Sequence, residues 1–323
     1  MSIFVAIIIL IIGLILLTKG ADNFIENSAS LAEEKGVSPH IVGVTIVAFG
    51  TSLPELLVSI FSSYMGYNDL ALGNILGSNI SNIGLVLPIS TFIFYYVLKE
   101  TIYPDKDANK DSYVMISAVI LLYVFSRDNL ISKNEGIMFF SLYLSYIYWI
   151  FKRGDGSQII RESEINEQLE AIKRGLADGK TSYTLLIGGL VGLLVGAQLT
   201  VDSAVEIALA LGLSEIVIGL SVVAVGTSLP ELAGTISAAK MGHKEIALGN
   251  IIGSNIANIF LVMGLLAVIK PIFVEVNVMQ TTLPLLILLT IAVFGLIRIP
   301  LTRASGILLF SFFLLFLYQL TLV

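Results

Sequence analysis

A proline and a glutamate stand together inside a long apolar stretch of this sequence, in the motif Gly-Thr-Ser-Leu-Pro-Glu at residues 50–55. Pro54 has no N–H to donate and its ring clashes with the carbonyl four residues back, so we expect a helix break near Gly50. Glu55 is ionisable, and lipid excludes such a group unless it faces a cavity, a partner or an ion. The same six residues recur at 226–231, where they include Pro230 and Glu231. Two copies predict a built site rather than a single structural kink.

A second motif, Gly-Asn-Ile-x-Gly-Ser-Asn-Ile-x-Asn, also occurs twice, at residues 73–82 and 249–258. Its polar residues lie inside apolar runs, where the backbone must otherwise satisfy itself. The four motif copies bring together oxygen donors of three kinds, namely carboxylates, side-chain amides and hydroxyls, with further backbone carbonyls freed by the two prolines. The side-chain donors are Glu55, Glu231, Asn82, Asn258, Thr51, Ser52, Ser78, Thr227, Ser228 and Ser254, and the freed carbonyls are those of Gly50 and Gly226, with Ala48 and Ala224 as further candidates.

A set of ligands made only of oxygen suits hard cations such as Ca²⁺ and Na⁺ rather than Zn²⁺ or Cu²⁺. The chain has no cysteine, and its two histidines, His40 and His243, lie at predicted segment ends, where we interpret them as solvated. Two ionised glutamates in a pocket of low dielectric repel each other, and one Ca²⁺ or two monovalent cations neutralise them. Moving the empty, doubly charged pocket across a membrane is costly, which predicts obligatory exchange. If more than two monovalent ions replaced one Ca²⁺, transport would be sensitive to voltage.

The composition is that of a polytopic membrane protein: 56% of the 323 residues are hydrophobic and 13% are charged, and the mean hydropathy is +0.93. A bilayer-spanning helix needs about 20 apolar residues. The sequence offers ten candidates, at 2–20, 39–65, 69–98, 112–126, 136–152, 182–209, 215–240, 245–270, 278–298 and 304–322.

An internal repeat organises these segments, because residues 41–87 align without a gap to 217–263, with 26 identities in 47 positions. Five predicted helices (residues 1–151) precede a polar linker (152–181) and five (182–323) follow it. An odd number in each half places the copies in opposite orientations, with the substrate site near the midplane. An N-terminus outside leaves 15 of the 18 Lys and Arg residues in cytoplasmic loops, together with the linker, and only Arg127, Lys133 and Lys270 outside. We interpret the linker as solvated rather than regulatory.

The paired motifs resemble those of the sodium/calcium exchanger group of the cation/calcium antiporters, above all its short prokaryotic and archaeal members, and the resemblance covers essentially the whole chain. It implies an all-α membrane protein of ten helices in two inverted repeats. Helices 2, 3, 7 and 8 would enclose the ions. Helices 1 and 6 would pack obliquely outside them and slide to alternate access. It also implies a multi-pass protein of the cell membrane with no cofactor and no enzyme activity.

The resemblance also implies roles for individual residues. Glu55 and Glu231 would be the central Ca²⁺ ligands, shared with Na⁺, and the carbonyls of Thr51 and Thr227 would complete the Ca²⁺ shell. Asn82 and Asn258 would close the centre. Two flanking Na⁺ sites are implied, one from Ser52, Ser78 and Ala48 and the other from Ser228, Ser254 and Ala224.

Two departures from relatives bear on the coupling ion. Some archaeal and potassium-dependent members carry an aspartate at one of the two asparagine positions, whereas Asn82 and Asn258 are both amides here, which weakens the case for K⁺. The proton/calcium branch places a glutamate soon after the Gly-Asn pair, where this chain has Gly77 and Gly253, which disfavours H⁺. Exchange of Na⁺ for Ca²⁺ is therefore the leading hypothesis.

Three alternatives stay open at this stage. A Ca²⁺/H⁺ or broader divalent cation/H⁺ antiporter would use the titration of Glu55 and Glu231. A passive cation channel would need a continuous pore, commonly from several subunits, whereas one chain with an internal repeat is sufficient as a monomer. An intramembrane enzyme using Ser52 or Ser228 lacks a nearby His or Lys base. We expect lipid and the transported ions as partners, with no nucleic acid and no obligate protein partner.

Overall fold

The computed structural model describes residues 3–64, 68–157, 181–211 and 226–320, and these form an almost wholly helical chain. Before the linker the helices are α1 (Ile3–Lys35), α2 (Pro39–Thr51), α3 (Leu53–Tyr64), α4 (Asn68–Ser81), α5 (Lys106–Phe125) and α6 (Lys133–Ser157). After it they are α7 (Tyr183–Ala210), α8 (Leu229–Lys240), α9 (Lys244–Ala257), α10 (Leu283–Leu296) and α11 (Arg303–Leu320).

Several helices contain π-helical turns, in which the backbone is wound more loosely than in an α-helix. One such turn (Gly43–Val47) lies within α2. Helix α4 runs on through a π turn and further helix to residue 97, and α9 does the same to residue 269; a last π turn precedes α10. These continuations are Asn82–Val86, Leu87–Phe92 and Ile93–Val97 after α4, Asn258–Met263 and Gly264–Ile269 after α9, and Val278–Thr282 before α10.

The helices agree closely with the predicted apolar segments. Among the described residues six helices are long and apolar enough to cross a membrane, and the bent pair α2–α3 makes a seventh. The predicted segment 215–240 lies partly outside the described residues, and the predicted linker does so over 158–180. The count of ten membrane helices and their inverted order therefore stay predictions.

Helix α1 is longer than its predicted apolar segment, 2–20, because it continues through polar residues to Lys35. The stretch after Gly20 contains no proline or glycine that would stop it. The helix ends only before Gly36, whose φ of 64° is a left-handed conformation that favours glycine. The polar end of α1 extends the helix beyond the apolar part that composition detects.

Loops that the sequence predicts on the same side of the membrane meet in the structure. On the predicted outer side, β1 (Leu130–Ile131) pairs antiparallel with β2 (Ile272–Phe273), with Leu130 opposite Phe273. On the predicted cytoplasmic side, Ile102 forms an isolated antiparallel bridge with Leu301. Each pairing joins a connection from before the linker to one from after it, which ties the two halves of the chain together at both ends.

Helices α1 and α7 pack against each other with close backbone contact through two glycines at matching repeat positions. A Cβ on Gly20 would collide with the backbone of Leu193, and one on Gly196 would collide with the backbone of Leu17. Small residues allow membrane helices to approach this closely, and dispersion contacts then hold them together. Equivalent positions of the two repeats therefore make equivalent helix contacts outside the two motifs as well.

A buried charged cluster, formed by His40, Asp111 and Arg153, joins α2, α5 and α6. The Asp111 carboxylate accepts hydrogen bonds from Arg153 at 3.1 and 3.2 Å and lies 2.7 Å from Nε2 of His40. His40 and Asp111 are wholly buried. The interpretation of His40 as solvated was wrong, because His40 lies in the first turn of α2 and its ring is buried against Asp111 of α5. His243, at the start of α9, is partly exposed.

We predict that Asp111→Ala destabilises the protein by about 3 kcal/mol, because it leaves the buried His40 and Arg153 without their shared partner. Thermal unfolding in detergent measures the loss. Lys110→Ala is the matched control on the same helix, since Lys110 pairs with Asp107 at 3.2 Å at the surface and such pairs contribute about 1 kcal/mol or less. Equal, small losses in the two variants would contradict the structural role of the cluster.

Candidate ion-binding site

In both Gly-Thr-Ser-Leu-Pro-Glu motifs the backbone leaves helical geometry at the serine. Ser52 (φ −83°, ψ 6°) separates α2 from α3, which are bent by 40°, and Ser228 (φ −88°, ψ 7°) precedes α8 with nearly the same backbone angles. The first break was predicted near Gly50 and lies two residues later, because Pro54 deprives the Gly50 carbonyl of its helical donor while helical geometry continues to Thr51.

Nearly all the predicted site residues are inaccessible to solvent. The two glutamates lie in the first turns of α3 and α8, immediately after the breaks. Thr227 is partly exposed, and Ala224 lies outside the described residues. The remaining site residues are at most 4% exposed; they are Ala48, Thr51, Ser52, Glu55, Ser78, Asn82, Ser228, Glu231, Ser254 and Asn258.

Hydrogen bonds between the two breaks show that the motif copies meet. The Ser52 hydroxyl, on the first break, donates to Oε1 of Glu231 on the second at 2.9 Å. The hydroxyls of Ser78 and Thr227, also from different copies, lie 3.4 Å apart. The repeats are 176 residues apart in sequence, yet their polar groups form one connected cluster.

Two of the flanking hydroxyls make contacts across the copies. The Ser254 hydroxyl points to the carbonyl of Ala48 at 3.5 Å, and Ser78 faces Thr227. Close packing of α9 on α2 produces the contact of Ser254 with Ala48, since a Cβ on Gly253 would lie 2.7 Å from the Cβ of Ala48. The grouping of these residues into two Na⁺ sites stays a prediction.

Many polar atoms of this cluster are buried without a hydrogen-bond partner in the described part of the chain. They are both carboxylate oxygens of Glu55, Oε2 of Glu231, the hydroxyl of Ser228, and the amide groups of Asn82 and Asn258. Buried polar groups in proteins are nearly always satisfied, so each exception needs an explanation. Most of these atoms are oxygens with free lone pairs, which a cation would satisfy.

The protein places no positive side chain beside the two carboxylates in the part of the chain that is described. The ion pairs found there involve other acidic residues. A buried ionised carboxylate needs a counter-charge, or it becomes neutral. The cluster therefore has the chemistry of a cation site that is filled from solution.

The first asparagine of each Gly-Asn motif braces the helix that carries the glutamate. The Asn74 amide donates to the Glu55 carbonyl at 3.3 Å and to the Ser59 hydroxyl at 3.0 Å. Asn250 repeats the pattern 176 positions later, donating at 3.4 and 3.0 Å to the Glu231 carbonyl and the Thr235 hydroxyl. These two asparagines therefore join neighbouring helices.

The second asparagine of each motif donates its hydrogen bond within its own helix. Asn79 donates to the carbonyl of Ile75 at 2.8 Å, and Asn255 donates to that of Ile251 at 2.7 Å. Both bonds stay within one helix, at the i−4 spacing that helical polar side chains commonly use. Sequence spacing does not separate the two outcomes, because only the rotation of each helix decides which carbonyl the amide meets.

Each of the two asparagines predicted to close the centre begins a π-helical turn, at Asn82–Val86 and at Asn258–Met263. Single π turns are rare and are frequently found at functional sites. The two turns occupy equivalent repeat positions and interrupt the regular helix at the residues that carry the unpartnered amides. Sequence analysis missed them, because no residue type marks a π turn as proline marks a break.

In this chain, which is rich in membrane-length helices, buried oxygens without partners among the described residues lie beside two matched backbone breaks, as expected of a transporter of small cations. Comparison with known proteins agrees. The family model described as "Sodium/calcium exchanger protein" matches residues 5–152 and 181–322. The sodium/calcium exchanger MaX1 of Methanosarcina acetivorans is 33% identical, with 97% of both chains covered. The membrane protein MJ0091 of Methanocaldococcus jannaschii is 41% identical, with 77% of both covered.

The fold also matches a solved exchanger. The structure of the sodium-calcium exchanger NCX_Mj soaked with Na⁺ and Ca²⁺ superposes with a TM-score of 0.81 at 34% identity, covering 97% of this chain and 98% of that one. The chain therefore belongs to the sodium/calcium exchanger family. It is an antiporter and a multi-pass integral membrane protein, as predicted, and its family is one of transporters rather than enzymes.

We predict that Ca²⁺ stabilises the folded protein against heat, because a bound cation satisfies the unpartnered oxygens. A ligand at 100 times its Kd stabilises by about 2.7 kcal/mol. Melting curves in detergent should rise with Ca²⁺ and rise much less with Mg²⁺, which demands strict octahedral geometry. Asn82→Ala should reduce the Ca²⁺ shift; an unchanged shift in this variant would exclude Asn82 from the site.

Proposed function

We propose that this protein expels Ca²⁺ from the cell in exchange for Na⁺ that enters down its gradient, by alternating access around one buried site. Glu55 and Glu231 are the shared ligands of both ions. The carbonyls of Thr51 and Thr227 complete the Ca²⁺ shell. The remaining ligands in this proposal are Ala48, Ser52, Ser78, Asn82, Ala224, Ser228, Ser254 and Asn258.

The observation that carries the proposal is the pairing of two buried carboxylates with unpartnered oxygens at a contact between the two repeats. Both Glu55 and Glu231 are fully buried, and three of their four carboxylate oxygens have no partner among the described residues. A single Ca²⁺ takes six to eight oxygen ligands and neutralises two carboxylates at once. Two Na⁺ ions neutralise the same charge.

The same charge balance explains why transport is an exchange. An empty site leaves two charges buried, each with a desolvation penalty of several kcal/mol. The loaded site is neutral with one Ca²⁺ or two Na⁺, so the conformational change is accessible only when ions are bound. If a third Na⁺ enters, one net positive charge crosses the membrane in each cycle, and the rate depends on the membrane potential.

We further propose the predicted architecture of ten membrane helices in two inverted halves, residues 1–151 and 182–323, joined by a cytoplasmic linker at 152–181. With the N-terminus outside, the buried site lies between the two entrances. The repeated bonds of Asn74 and Asn250 support a structural repeat. The protein acts as a monomer in the cell membrane, because one chain supplies both halves of the site and needs no cofactor.

We predict that Glu55→Gln or Glu231→Gln abolishes Ca²⁺ uptake into Na⁺-loaded proteoliposomes, because glutamine keeps the shape and removes a charge that the cation neutralises. Calcium flux measured with a radioactive tracer tests this. Glu33→Gln, at an exposed position on α1, is the matched control and should keep the wild-type rate. Wild-type rates in both buried variants would refute the assigned site.

We predict that an outward Na⁺ gradient drives Ca²⁺ uptake into wild-type proteoliposomes, whereas a pH gradient in Na⁺-free buffer does not. The two-carboxylate centre and the glycines at 77 and 253 favour this result over proton coupling. Flux driven by the pH gradient alone would assign the protein to Ca²⁺/H⁺ exchange. Uptake that needs no counter-ion would indicate a passive channel.

A further inference from the structure

We propose that Asn250 is a positioning residue that couples the two helix breaks and sets their spacing around the cation. This inference rests on the proposed function, since it concerns the geometry of the same site. Asn250 lies on α9 and is not itself a proposed ligand. Its role follows from three hydrogen bonds that reach both breaks.

The amide of Asn250 uses both its donors and its acceptor in a fully buried position. Its nitrogen donates to the Thr235 hydroxyl at 3.0 Å and to the Glu231 carbonyl at 3.4 Å. Its oxygen accepts from the Thr51 hydroxyl at 3.1 Å. Only Asn and Gln side chains provide two donors and an acceptor in one planar group, and a hydroxyl or a carboxylate cannot reproduce the pattern.

These bonds join parts of the site that are far apart in sequence. Thr51 is the last residue of α2 before the break at Ser52, and it lies 199 residues from Asn250. Glu231 is in the first turn of α8 after the other break. A single side chain therefore holds the end of one broken helix against the start of the other.

The coupling acts on the atoms proposed to bind the cation. The Thr51 hydroxyl also reaches the Ala48 carbonyl at 3.3 Å, so its bond to Asn250 fixes the last turn of α2, from which the Ala48 and Thr51 carbonyls project. The bond to the Glu231 carbonyl fixes the turn that carries the Glu231 carboxylate. A displacement of about 1 Å between these groups is enough to spoil a preorganised site.

Asn74 is the counterpart of Asn250 in the first repeat. It occupies the same repeat position and makes the equivalent bonds to the helix that carries Glu55. Its environment differs, because Asn74 is partly exposed whereas Asn250 is wholly buried. Both asparagines thus brace a glutamate helix, and the bond that Asn250 accepts from Thr51 joins it to the other repeat.

The test compares Asn250→Ala with Asn255→Ala in the full-length protein reconstituted in proteoliposomes. Asn255 is a matched control, since it is buried on the same helix and, within the described residues, its amide nitrogen bonds the Ile251 carbonyl of that helix. A positioning role predicts a rise of about fivefold to tenfold in the Ca²⁺ concentration for half-maximal flux in Asn250→Ala, the equivalent of one or two hydrogen bonds. The control should keep the wild-type value.

A purely structural role gives a different result. Loss of folded protein lowers the maximal rate and the melting temperature but leaves the half-saturating Ca²⁺ concentration unchanged, and that outcome in Asn250→Ala would overturn the proposal. If Asn250→Ala does not fold, the isosteric Thr51→Val removes the same bond from its other end and should raise the half-saturating concentration in the same way. An unchanged value in that variant would also overturn the proposal.

A double-mutant cycle isolates the pair. Thr51→Val and Asn250→Ala should be non-additive in their effects on half-saturation, because each removes the bond that they share. Additive effects would contradict the coupling.

The half-saturating Ca²⁺ concentration can also be measured without transport, from the rise of the melting temperature with Ca²⁺. This measurement needs no counter-ion. Suppose that the wild type shows no Na⁺-driven flux, but Asn250→Ala raises the Ca²⁺ concentration needed for half-maximal thermal stabilisation. That result would overturn the proposed exchange and sustain the positioning role.

Discussion

Two carboxylates buried in one helical bundle, without a cation from the protein among the described residues, are the constraint on which the rest of the structure depends. Burial of an ionised carboxylate costs several kcal/mol unless a counter-charge and hydrogen bonds compensate. Glu231 receives a hydrogen bond from Ser52, whereas neither carboxylate oxygen of Glu55 has a partner among the described residues. In the proposed mechanism, the bound cation supplies the remaining compensation.

The breaks and π turns in the helices free backbone and side-chain polar groups that could bind a cation. A regular helix keeps its carbonyls for its own N–H groups and has none to offer a cation. The proline-linked breaks at Ser52 and Ser228, and the π turns that begin at Asn82 and Asn258, loosen the helices at four points in the same cluster. We propose that the asparagine braces hold the loosened segments in place, so that the buried polar groups face one centre.

The sequence was sufficient to predict those features of the site in which a single residue type carries a physical penalty. A proline or a glutamate in an apolar run has few compatible environments, so the breaks and the buried Glu55 and Glu231 followed directly. It was insufficient where the outcome depends on helix rotation. His40 turned inward to Asp111, Asn79 and Asn255 bonded their own helices, and Ser254 met Ala48 across the repeats. Such contacts are properties of packing, which no local pattern encodes.

The central claim is that both repeats contribute to one cation site. Anomalous X-ray diffraction from crystals soaked in Sr²⁺, a heavier analogue of Ca²⁺ with the same charge and the same preference for oxygen ligands, tests it most directly. The predicted result is one dominant anomalous peak in the buried cluster, within coordination distance of carboxylate oxygens from both Glu55 and Glu231. A peak bound by only one of the two glutamates, or strong peaks only at the protein surface, would contradict the claim.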